Sequence, residues 1–144
     1  MGLANHGDTL PPMQTHRTLH AWQHANKVVN AVISMSFTSW KPQLAAVFSQ
    51  LQRASLSAQT NIAEGYAFGP SPSMNRHLKI AYGSAVETGD LLYVLTQNRI
   101  ADAELAQGAA EYCSRTQQVI MGMLRRYGAL NGRCRPSRPT IEAD

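Results

Sequence analysis

Residues 19–35, Leu19-His20-Ala21-Trp22-Gln23-His24-Ala25-Asn26-Lys27-Val28-Val29-Asn30-Ala31-Val32-Ile33-Ser34-Met35, decide the fold class. Apolar or small residues recur there at alternating spacings of three and four, the period of one helix face. Leu19, Trp22, Asn26, Val29 and Ile33 form one seam, and Ala21, Ala25, Val28, Val32 and Met35 form a second beside it. One seam suffices to pack a helix against a bundle. Two seams make this helix apolar around most of its circumference, so it is expected at the centre of the fold or against another subunit.

Three more helical patterns follow. The first helix is expected over roughly residues 16–36, and Pro42 then suits the first position of a second helix, where no N–H is needed. That helix should run to about Ala67 with Leu44, Phe48, Leu51, Ser55, Ala58 and Ile62 inward. Gly69-Pro70-Ser71-Pro72-Ser73 breaks the pattern. Ser73 is read as the cap of a third helix that runs to about Asn98, with Leu78, Ala81, Ala85, Leu92 and Leu95 inward. Gly83 and Gly89 sit in its interior, where each costs about 1 kcal/mol against Ala, and close approach of a neighbouring helix would account for both. Asp102 caps a fourth helix whose stripe reads Leu105, Ala109, Tyr112, Thr116, Val119, Met123 and Leu130, ending at Asn131-Gly132. Short connections between long helices give an all-α, antiparallel up-down-up-down four-helix bundle over residues 16–130. A flexible arm over residues 1–15 and a basic, disordered tail over 131–144 flank it. A chain of 144 residues suits one domain with one core.

Charge is placed unevenly. The formal net charge is +4, and only 15% of residues are charged, few for a soluble monomer. No acid occurs from Thr9 to Ala63, a span holding Arg17, Lys27, Lys41 and Arg53. None occurs from Tyr112 to Ile141, which holds Arg115, Arg125, Arg126, Arg133, Arg135 and Arg138. Adjacent first and fourth helices would join these stretches into one basic surface, and the six arginines are its candidate nucleic-acid contacts. Against that stands plain solubilising charge, and Arg125 and Arg126 also offset a helix dipole. The N-terminus has no signal-peptide pattern and no run of 18 apolar residues occurs, so neither secretion nor a membrane span is expected. Cys113 and Cys134 form no CxxC and no disulfide framework, which favours a reducing cytoplasm.

Two signatures on the second and third helices carry a resemblance. Gln50-Leu51-Gln52-Arg53-Ala54-Ser55 followed by Asn61-Ile62-Ala63-Glu64-Gly65, and then Leu78-Lys79-Ile80-Ala81-Tyr82-Gly83-Ser84-Ala85-Val86-Glu87, resemble the 23S rRNA intervening-sequence protein family, also called the four helix bundle protein family. Leu19 to Ala25 is similar to that family's opening helix, and the match runs in order from about His16 to Leu130. Gln59 stands where the family often has Pro, Gly89 where it often has a second acid, and the Pro70-Ser71-Pro72 loop is unusual. The resemblance implies an antiparallel bundle assembled as a ring, commonly a homopentamer, with no established enzymatic activity. It also implies RNA and a reverse transcriptase as partners, since related bundles serve diversity-generating retroelements.

Arg53, Asn61, Glu64, Arg76 and Glu87 are the other polar residues of note. A phosphate or substrate could engage them, but an interhelical ion-pair and hydrogen-bond network fixing helix register is the better expectation. His16, His20 and His24 repeat every four residues. Two such His can bind zinc, yet no carboxylate or Cys stands near to complete a site, so no metal is expected. Arg17 and His24 superficially fit the spacing of helical RNases but lie at the start of the first helix, where those enzymes do not place them. Trp22, Trp40, Phe48, Tyr66, Phe68 and Tyr82 could stack bases, although aromatics at helical spacing are usually core or interface. There is no GxSxG, Walker loop or GxGxxG. The sequence thus leads to a non-enzymatic oligomeric bundle without cofactor, binding RNA or DNA through arginines; the alternative is a purely structural or protein-interaction scaffold.

Overall fold

The computed structural model describes residues 15–131, with side chains as far as Gly128. A 3-10 turn, His16–Thr18, leads into α1 (His20–Ser39); a second, Pro42–Leu44, leads into α2 (Ala45–Phe68); α3 (Pro72–Gln97) and α4 (Ala103–Asn131) follow. α1 packs on α2 and α4, and α3 packs on α2 and α4. That closed circuit of sequence neighbours is the up-down-up-down bundle. The arm, Arg133, Cys134, Arg135, Arg138 and the rest of the tail lie outside the described residues.

Local chemistry sets the ends. The cap of α3 is Ser71 rather than Ser73: Ser71 Oγ accepts from the Met74 N–H at 3.1 Å, and Pro72 takes the first helical position, where its missing N–H does no harm. Asp102 caps α4 as expected, accepting from the Leu105 N–H at 2.9 Å. α3 ends in a Schellman arrangement. Arg99 is left-handed (φ 52°), its N–H bonds Thr96 O, and the Ile100 N–H bonds Leu95 O at 3.0 Å. Gly69 takes the left-handed position after α2 (φ 63°), where its lack of a Cβ removes the strain.

The core forms two clusters. One holds Val32, Met35, Phe48, Leu51, Leu92, Leu95 and Ala106; the other holds Ala21, Ile62, Met74, Leu78, Ala81 and Ile120. Between them, Ala25, Val28, Ser55, Ala58, Ala85, Thr88, Cys113 and Thr116 enclose the bundle midpoint. The buried hydroxyls there bond back to their own helices, Thr88 to Ser84 O and Thr116 to Tyr112 O at 2.8 Å each, so no polar group is stranded by the small side chains. The α4 stripe is turned by about one residue from the expected one. Ala106, Ala109, Cys113, Thr116 and Ile120 face the core, while Leu105, Tyr112, Val119 and Met123 are half-buried. Small residues let α4 approach closely, and a count of large apolar residues overlooks them.

The two seams of α1 have different fates. Ala21, Ala25, Val28, Val32 and Met35 are all buried. The other seam turns toward α2, where Val29, Val32, Ile33, Gln52, Ser55 and Leu56 line a furrow, and Ile33 and Leu56 stay exposed. Phe37 (87% exposed) and Trp40 continue this apolar strip.

Candidate nucleic-acid interface

Helical spacing divides the three described arginines of α4. Arg115 and Arg126 are eleven residues apart, three turns, and share one face; Arg125 lies on another. Arg115 stands over the Tyr112 ring, 5.5 Å from its centroid, at the α1/α4 seam. Arg126 stands 5.7 Å from the ring centroid of Tyr127. Arg125 instead lines a furrow with Tyr82, Ser114, Gln117, Gln118 and Met121 between α3 and α4. Of the six arginines expected along α1 and α4, Arg115 thus stands at the seam between those helices with Lys27, while Arg125 turns toward α3, and Arg133, Arg135 and Arg138 lie outside the described residues.

Antiparallel packing gathers the charge at one end. The α1 start, α2 end, α3 start and α4 end are neighbours, and beyond the midpoint layer the charged and histidine side chains among the described residues of this half are His16, Arg17, His20, His24, Arg76, His77, Lys79, Arg125 and Arg126 against one acid, Glu64. The midpoint layer and the other half carry Glu87, Asp90, Asp102, Glu104 and Glu111 with Lys27, Lys41, Arg53, Arg99 and Arg115. One end of the bundle is basic and the other is balanced. Lys79 was missed by sequence reading, and Arg76 was read as a network residue. Both are exposed, and among the described residues neither forms an ion pair. The signal was available: α3 has no acid before Glu87.

The five network residues split into two small groups and two arginines that form no ion pair among the described residues. Asn61 Oδ1 lies 2.9 Å from His77 Nδ1, and Glu64 Oε2 lies 3.2 Å from the same nitrogen, so His77 ties α2 to α3. Asn61 also donates to Ser57 O at 2.9 Å, and Ser57 Oγ meets Ser84 Oγ at 2.8 Å. Glu87 accepts from Gln50. Arg53 and Arg76 are exposed, and neither pairs with Glu64 or Glu87. The expected ion-pair network is thus replaced by one centred on His77, a residue sequence reading did not select. Long exposed arginines keep more freedom and hydration than a fixed pair would allow.

The histidines of α1 do not assemble a metal site. Among the described residues, no group of three His, Cys, Asp or Glu side chains could hold an ion. His16 packs edge-on against Trp22, and His20 edge-on against His24. His24 stacks on Tyr112 at 5.9 Å. Burial first, then Arg115, Lys27 and His20, hold the His24 imidazole below its ordinary value, so it is neutral at pH 7. Of the aromatics, Phe48 is buried core, while Phe68 is exposed and stacks on His77 at 5.4 Å. Cys113 donates to Ala85 O at 3.0 Å, and burial pushes its thiol up, away from nucleophilic chemistry.

The chain matches the family model described as 23S rRNA-intervening sequence protein over residues 17–122. It belongs to that family. The match takes in α1, α2, α3 and most of α4, including Arg115 and the whole Asn61–His77 junction. Arg125 and Arg126 fall just beyond the matched residues. No curated protein matches the chain. No helix among the described residues is long and apolar enough to cross a membrane.

Proposed function

We propose that this family member is a non-enzymatic, oligomeric bundle that binds RNA or DNA through its basic end. The separation of charge along the bundle axis carries this reading. Among the described residues, Arg17, Arg76, Lys79, Arg125 and Arg126 meet at one end with Glu64 as the only opposing carboxylate, and none of the five is tied up in an ion pair. Free guanidinium groups suit phosphate oxygens, because their planar fork binds two at once. The binding is largely independent of sequence and falls steeply with salt as counterions are released.

The furrow between α1 and α2 supports assembly. Its apolar strip, Ile33, Phe37, Trp40 and Leu56, is bordered by Asn26, Gln52 and Gln59, with Lys41 and Arg53 at its margin, and a second copy is the occupant of this reading, with a ring of five as the expected form. A purely structural or protein-interaction scaffold would rest on that strip alone and make the basic end incidental. Fluorescence anisotropy with a labelled single-stranded RNA at low salt separates the two. Joint replacement of Arg76, Arg125 and Arg126 by Gln, all exposed at the basic end, is expected to weaken binding and to flatten the salt slope by about two. Absence of binding by a well-folded oligomer would leave the scaffold reading standing.

A further inference from the structure

The α1/α4 seam collects more cationic groups around one ring than packing requires. Lys27 Nζ lies 4.5 Å from the Tyr112 ring centroid and donates to the Tyr112 hydroxyl at 3.3 Å. Arg115 approaches the same ring, His24 stacks on it, and His20 lies against His24 with centroids 6.5 Å apart. His24 Nδ1 is buried without a hydrogen-bond partner, an unmet polar group in the middle of this cluster. Among the described residues, no carboxylate pairs with Lys27 or Arg115. Glu111 is exposed one turn before Arg115, and Asp102 and Glu104 line the furrow beside Lys27, yet none comes within ion-pair distance of either. α2 and α3 contribute no charged group to the seam. Like charges held this close repel one another unless an anion sits among them.

We propose that His20, His24, Lys27 and Arg115 form a phosphate-binding site across the α1/α4 seam that takes up its phosphate and a proton together. The inference rests on the nucleic-acid reading for the source of that phosphate, a backbone phosphodiester, with free phosphate as the other source of the same chemistry. The linkage follows from signs. Burial, and then Arg115, Lys27 and His20, hold the His24 imidazole below its ordinary value in the free protein. A bound dianion or monoanion reverses the local field and favours imidazolium, so binding draws a proton onto His24. Affinity then rises as pH falls through the window between the free and bound titration midpoints, by up to about tenfold per pH unit for one proton.

The test uses the full chain and follows the His24 imidazole resonances by NMR as a function of pH, with inorganic phosphate against chloride at equal ionic strength. Phosphate should raise the His24 midpoint, and Lys27→Gln or Arg115→Gln, both at exposed positions, should abolish the rise. Arg99→Gln, at the other end of the bundle, should leave it intact. A His24 midpoint that stays fixed at saturating phosphate overturns the site. A thymidine oligonucleotide then separates the two readings. If it binds and raises the same midpoint, both hold. If inorganic phosphate raises the midpoint but no oligonucleotide binds, the site holds and the nucleic-acid reading falls. If the oligonucleotide binds without moving a midpoint that inorganic phosphate does raise, the site takes free phosphate and not the backbone phosphodiester, and the basic end alone is the nucleic-acid interface.

Discussion

Replacing Gly83 with Ala should stabilise the protein, and the reason lies in what its missing methyl would meet. Gly83 is exposed in the interior of α3, and a Cβ built there has nothing within 4 Å. The close approach that would account for this glycine is absent at this position within the chain. The full propensity difference between Gly and Ala, about 1 kcal/mol, should then be realised. For a domain of this size that raises the melting midpoint by roughly 3–5 °C. The other glycines supply the comparison. At Gly89 the new methyl would touch the Gln117 amide at 3.4 Å and Cys113 Sγ at 3.7 Å, ordinary contacts that leave part of the gain. At Gly65 it would stand 3.3 Å from His77 Cβ and 3.4 Å from Met74 O, both rigidly held. There α2 and α3 would have to part, which offsets the gain or reverses it. Far-UV circular dichroism melts of the three variants should therefore rank Gly83→Ala above Gly89→Ala above Gly65→Ala. A lower midpoint for Gly83→Ala would refute the reasoning. If light scattering also showed lost assembly, it would place Gly83 against another copy.

Glu64→Ala should lower stability by less than about 1 kcal/mol, because the Glu64 side chain is 59% exposed and its pair with His77 is screened, and Arg53→Ala should change the melt hardly at all. Ile33→Glu with Leu56→Glu should reduce the oligomer to smaller species on size exclusion while helicity persists, since both side chains are already exposed in the single chain. Acid should weaken the ligand-free fold through His24: its folded titration lies below the ordinary 6.5 of the unfolded chain, so stability is lost as pH falls from about 6.5 through that lower midpoint, and His24→Gln should flatten this part of the curve. Cys113 should resist alkylation in the native protein, measured by mass shift in a Cys134→Ser background, and react at once in denaturant.

Periodicity made most of the bundle readable and failed where small residues replaced large ones. The inward stripe of α3 (Leu78, Ala81, Ala85, Leu92, Leu95) is buried as read, although Ile80, Val86 and Tyr93 on its other faces stay exposed. On α4 the large residues Tyr112, Val119 and Met123 flank the α1 seam while Ala106, Ala109 and Cys113 take the centre, so hydrophobic size pointed about one residue astray. Linear sequence also could not place charges from different helices at one end. Arg76 and Lys79 of α3 join Arg125 and Arg126 of α4 only because the helices run antiparallel, and a reading along single helices paired α1 with α4 instead. The Asn61–His77–Glu64 junction was half visible. Asn61 and Glu64 stood out by motif, but their partner lies across the α2–α3 turn, and His77 belongs to no short pattern with them.

The apolar strip and the basic end occupy different parts of the molecule, and their geometry bears on how weak contacts become useful. The strip runs along the side of the bundle between α1 and α2; the cations crowd one end. Copies joined through a side by cyclic symmetry all point the same way along the ring axis. Their basic ends then lie on one face of the ring and their mixed, acid-bearing ends on the other. A single end presents only a handful of cations, too few for tight binding at physiological salt. Several ends on one face engage one strand at a high effective concentration, and avidity multiplies without any new contact. Assembly and nucleic-acid binding should therefore fail together: the Ile33→Glu, Leu56→Glu variant, with every arginine intact, should lose most of its affinity and show a salt slope no larger than one bundle end can give. Unchanged affinity in a dispersed variant would mean that a single chain carries the whole interface.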